Sequence, residues 1–205
     1  GLPGPRDLLR DVEEGARYLR SDRPTRSLMV LAWSMLLVFV APEAAALPYA
    51  RYLGESTAVG GLLLAASPFG AALGVLVVRR WPPQVQVGRL ILLAGLVPVP
   101  LLAMVLQPPW PVAATLFALA AVSSGFMVPL MATFALLPPD QVRGRVIGLA
   151  GSGFALLSAA SYLVVGGLSD LTTPAYAVAI CAAGTLAWLT WLRSRWPGLE
   201  LAEAS

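Results

Sequence analysis

The chain contains no histidine and no lysine, a single cysteine, and few charges of either sign, which make up 12 % of its 205 residues. Each shortage removes a class of function. Without histidine there is no imidazole metal ligand, no histidine proton relay and no Ser/His or Cys/His catalytic pair. Cys181, between Ile180 and Ala182, has no intrachain disulfide partner and reads as a small buried side chain. Paired carboxylates inside apolar runs and clusters with metal-ligand spacing are also missing, so no enzyme is expected and no cofactor is implied. Every cation is an arginine beside an apolar run, which points to lipid headgroups and away from nucleic acid.

What the chain does have is apolar length. Hydrophobic residues make up 58 % of it, and charge is gathered into short segments between long uncharged runs. A soluble protein of this size needs polar surface on every helix, whereas these runs, at 27–50, 58–78, 90–107, 111–137, 146–168 and 175–192, each come near the ~20 residues that cross ~30 Å of hydrocarbon. Alternation of period two is absent, so the runs are expected as helices, not barrel strands. Residues 1–26 are charged, and the apolar run from Ser27 exceeds a signal-peptide core, so permanent insertion is expected.

Arginine sets the orientation. Arg6 through Arg26 precede the first run, Arg79, Arg80 and Arg89 follow the second, Arg143 and Arg145 follow the fourth, and Arg193 and Arg195 follow the sixth; only Arg51 falls on the other side. By the positive-inside rule both termini are cytoplasmic and the span number is even, giving a multi-pass protein of the cytoplasmic (inner) membrane. Tyr49, Tyr52, Trp110 and Tyr176 would mark the outer boundary, and Trp81, Trp191 and Trp196 the inner one. Residues 1–26 read as a linker and an amphipathic interfacial helix with Leu8, Val12, Ala16 and Leu19 on one stripe, ending before Pro24. The Gly/Pro-rich start resembles a connector from something upstream. The bundle then covers 27–193 and a cytoplasmic tail 194–205.

The first and fourth runs share a pattern: Phe39 stands three residues before Pro42, and Phe126 three before Pro129. Prolines at matching places in two three-helix units are the sequence sign of a transporter's central path, so two inverted three-helix repeats are expected. Glu43 is the one acid or base inside a run. It reads either as a proton or cation site on a substrate path or as a carboxylate solvating a helix end near the headgroups. Gly70 and Gly74, and Gly144 and Gly148, are spaced for close helix approach, within the six-helix unit or against a second unit. Asp140 can cap the fifth helix and pair with Arg143, beside Arg145, at an inner gate.

These segments together resemble the carboxyl-terminal half of a major facilitator superfamily transporter, in the branch of macrolide-efflux and enterobactin-exporter-like proteins. The resemblance rests on Glu14-Gly15-Ala16-Arg17-Tyr18-Leu19-Arg20, Leu47-Pro48-Tyr49-Ala50-Arg51-Tyr52-Leu53-Gly54, Pro139-Asp140-Gln141-Val142-Arg143-Gly144-Arg145-Val146 and Gly166-Gly167-Leu168-Ser169-Asp170. It runs over nearly the whole chain. Arg79-Arg80-Trp81-Pro82-Pro83 departs from the Gly-x-x-x-Asp-Arg pattern of such gate loops.

The resemblance implies proton-coupled export of lipophilic small molecules by alternating access, as an antiporter. Its partner would be an amino-terminal six-helix half, or a second copy if the chain is a complete half-transporter. The small-molecule substrate is expected among Phe39, Glu43, Phe126, Met127, Met131 and Phe134. A membrane scaffold or sensor with the same fold and no transport is the alternative.

Overall fold

A backbone in hydrocarbon can satisfy its N–H and C=O groups only from within, and every long apolar run here forms helix. The computed structural model describes residues 5–81 and 89–194, with side chains from residue 12 onward. The expectations for the linker residues 1–4, the Pro82-Pro83 loop, the tail from Arg195 and the boundary residue Trp196 lie outside the described residues.

Helix α1 is Pro5–Ser21. It is followed by α2 (Arg23–Tyr52), α3 (Thr57–Val78), the shorter α4 (Leu90–Leu106), α5 (Trp110–Leu136), α6 (Asp140–Leu171) and α7 (Pro174–Arg193). The boundary expected before Pro24 falls at Asp22, whose extended backbone lets its carboxylate accept from the Thr25 N–H at 2.9 Å.

Five helices, α2, α3, α5, α6 and α7, are long and apolar enough to cross a membrane. The run expected to cross at 90–107 is a 17-residue helix interrupted at Val97, ahead of Pro98 and Pro100, and tightened to a 3₁₀ turn over Ala103–Leu106. Two prolines lacking donors explain the interruption. By contrast, α2 passes through both Pro42 and Pro48 and is interrupted at Met35 instead. In α5 a 3₁₀ turn, Ser124–Phe126, comes just before Pro129, which cannot donate to the Gly125 carbonyl.

Association of these helices depends on small residues. Helices α3 and α5 run parallel with Gly70 against Ala118 and Gly74 against Val122, and Gly125 lies on the Gly74 carbonyl; a Cβ at any of the three would overlap backbone. Helices α2 and α6 also run parallel: the Trp33 indole lies on Gly153 and donates to the Ala150 carbonyl at 3.2 Å. Helix α7 covers another side of α2 with Ala175, Val178 and Ala182, and Trp188 donates to Ser34 Oγ at 2.7 Å.

At the end away from the arginines, side chains connect three elements. Tyr49 donates to the Pro108 carbonyl at 2.5 Å, Tyr52 donates to Gln107 Oε1 at 3.1 Å, and Gln107 Nε2 reaches Thr173 Oγ1 at 3.4 Å. Gln107 holds a left-handed backbone, φ 50°, and so turns α4 back toward α5 with its amide between the two partners.

With 32 residues, α6 is ~48 Å long and overshoots a ~30 Å hydrocarbon layer. The surplus at its arginine-bearing start is where α1 docks. Gly15 abuts the Arg145 carbonyl, Leu19 is buried, and Arg145 pairs with Glu14 at 2.5 Å. Leu19 of the expected stripe is buried while Val12 is half exposed, and Gly15, outside that stripe, lies against α6. The cause is a protein neighbour that needs the close approach only Gly15 allows.

Gly74→Leu would force α3 off α5, at a cost of ~1–3 kcal/mol for overpacking. The thermal midpoint of the purified protein in detergent should drop clearly, whereas Gly184→Ala, at a position with open space around it, should leave it unchanged or raise it.

Candidate functional site

Helices α5 and α6 each pack on α2 and scarcely touch one another. The gap is a groove with α2 as its floor, and at the arginine-bearing half it widens to a cavity of about 280 Å³. Met29, Ala32 and Trp33 form the floor, Met131, Phe134 and Ala135 one wall, and Ile147, Ala150, Gly151 and Phe154 the other. Small residues at Ala150 and Gly151 leave the volume; the larger ones shape it. The Trp33 N–H is already bonded to Ala150, so the lining offers no free donor for an ordered water and is suited to an apolar guest.

Glu43 stands farther along the same α2–α6 seam. Its side chain is exposed from the bundle, near Tyr162 on α6, which is exposed as well. Phe39, one turn before Glu43 on α2, is half-buried against the core.

Of the six residues expected to meet the substrate, two line the cavity. Met131 and Phe134 line the cavity, Glu43 and Phe39 lie along the seam, Phe126 is fully buried in the core, and Met127 is partly buried against it. Phe126 turned inward because the 3₁₀ turn at Ser124–Phe126 shifts the register of α5 before Pro129. Pro42 and Pro129 are both buried. Trp33, Ile147 and Phe154 went unrecognised in the sequence. Trp33 and Gly153 left no local signal, because their contact joins residues more than a hundred positions apart.

Asp140 begins α6 and pairs with Arg143 at 2.5 Å, while Arg143 Nε also donates to the Pro138 carbonyl at 3.2 Å. Its side chain makes no cap bond; Pro139 occupies the cap position. Arg145 instead reaches across to α1 through Glu14. All these side chains retain substantial exposure, so each pair contributes ~0–1 kcal/mol and sets position more than stability. Gly144 and Gly148 face open space, whereas Gly70 and Gly74 are occupied by α5.

A scan against protein-family models, a search of curated proteins and a search of solved structures each return no match. The reading of the site accordingly rests on its chemistry.

The α1 contact can be broken on its own. Gly15→Leu should lift α1 from α6 and accelerate tryptic cleavage after Arg17 or Arg20 about fivefold to tenfold, corresponding to ~1 kcal/mol or more of lost docking. Cleavage at the original rate would show that this contact does not hold the helix.

Proposed function

We propose that the chain is the carboxyl-terminal six-helix half of a secondary transporter of the major facilitator type, which exports lipophilic small molecules by alternating access in exchange for protons. The observation that carries this reading is the groove itself. An apolar cavity of about 280 Å³ opens between α5 and α6, which make few contacts with one another, and the Glu43 carboxylate stands farther along the α2–α6 seam.

Two further features support it. The parallel pairs α2/α6 and α3/α5 exchange when the first three spans are swapped with the last three, as two inverted three-helix repeats require. The apolar window of α6 is only 11 % buried and that of α3 22 %, against 61 % for α2, which leaves both helices with broad faces for an amino-terminal half or a second copy. Glu43, farther along the α2–α6 seam, would be the group that carries the proton. Asp140, Arg143, Arg145 and α1 surround the arginine-bearing end of the groove, where a gate would act.

Export of a fluorescent lipophilic dye from everted vesicles containing the complete protein tests the reading. Phe134→Ala and Gly151→Leu, one removing a wall and one filling the cavity, should each lower the initial rate about tenfold, from ~1.5–3 kcal/mol of apolar contact, at unchanged membrane level. Glu43→Gln should abolish dependence on the proton gradient. Unchanged transport in all three would overturn the proposal.

A further inference from the structure

A second opening lies between α4 and α7, and it shares no residue with the cavity beside α5. Gln107, at the end of α4, bonds Thr173, at the start of α7, so the two helices are antiparallel and the start of α4 stands beside the end of α7. Between them is a groove of about 180 Å³. Leu92, Gly95 and Leu96 form one side of it, and Leu189, Thr190 and Arg193 the other. Gly95 makes the room: a Cβ added there would meet nothing within 4 Å. Leu92 and Leu96 are half exposed, so the groove is open sideways to hydrocarbon.

Its charge is of one sign. Arg193 is the last residue of α7 and lines the groove at the arginine-bearing end. Arg89, just before α4, holds its guanidinium carbon 5.5 Å from the centre of the Trp81 ring. A cation over an aromatic face keeps its charge and its in-plane N–H donors. Neither α4 nor α7 contains an acidic residue, and among the described residues neither arginine has an ion-pair partner. Thr190 gives its proton to the Ala187 carbonyl at 2.7 Å, which leaves Arg193 as the donor in the lining.

Leucine walls ending at an arginine fit an amphiphile with an anionic head. At headgroup level a guanidinium attracts a phosphate and can grip it through two parallel N–H bonds, while the leucines offer apolar contact to a chain. A free phosphate would gain nothing from the leucines, and a zwitterionic lipid brings an ammonium that offsets the attraction.

We propose that the α4–α7 groove is a binding site for an anionic phospholipid of the leaflet at the arginine-bearing end, with one acyl chain along Gly95 and Leu96 and its phosphate on Arg193. Arg89 adds positive field at the same end. The site stands apart from the export reading, since neither α4 nor α7 lines the cavity on which that reading rests.

Native mass spectrometry of the complete protein, equilibrated in detergent with equal amounts of dioleoyl phosphatidylglycerol and dioleoyl phosphatidylcholine, tests it. The first lipid retained should be phosphatidylglycerol, favoured about fivefold, the contribution of one arginine near a membrane surface. Arg193→Gln should bring that ratio close to one, Arg193→Lys should keep most of it, and Arg79→Gln, at the same end but outside the lining, should leave it unchanged. Gly95→Leu should fill the groove and lower retention of the first lipid of either kind severalfold at an unchanged thermal midpoint; if that variant does not fold, the arginine series decides alone. A preference that survives Arg193→Gln, or falls equally in Arg79→Gln, would overturn the inference, as would full retention in a folded Gly95→Leu protein. Displacement of the lipid by sn-glycerol 3-phosphate would overturn it too, since the groove would then serve a free phosphate ester without need of a chain.

Discussion

Close approach of backbones at glycine is the constraint on which this structure depends. Lipid tails are as apolar as leucine, so helices gain little by exchanging lipid for each other unless they fit tightly. Gly70 and Gly74 bring α3 onto the α5 backbone, Gly153 receives the Trp33 ring, and Gly15 seats α1 on the first turns of α6. Each contact fixes a pair whose relative position then determines where the larger side chains point. The cavity is a consequence: α2 is held to α6 through Trp33, α5 is held to α3 through glycine, and nothing of this kind joins α5 to α6.

The two ends of the bundle are held differently. Away from the arginines, Tyr49, Tyr52, Gln107 and Thr173 form hydrogen bonds between α2, the α4–α5 turn and the start of α7. These bonds tie three elements together at that end. At the arginine-bearing end the links are partly exposed ion pairs, and the groove widens there.

Much of this fold was legible in the sequence because hydrocarbon imposes simple rules. Uncharged runs mark helices, and the Asp22-Arg23-Pro24 junction marks where α1 gives way to α2. At α4, expected as a full span, Pro98 and Pro100 interrupt a 17-residue apolar helix. The matched prolines drew attention to Phe126, but the 3₁₀ turn preceding Pro129 rotates that ring into the core. Met131 and Phe134, one and two turns beyond it, do reach the cavity.

Glu43 also bears on what surrounds the unit. The carboxylate and Tyr162 are exposed from the bundle on the side where α6 is least covered. An apolar face of α6 alone could be solvated by lipid indefinitely. The same face carrying a carboxylate well within α2 could not be, since lipid returns neither hydrogen bonds nor charge to it. Arginine can carry its charge several ångströms along a helix to the headgroups, and glutamate reaches less far. The acid is exposed from the bundle beside α6, whose apolar window is only 11 % buried.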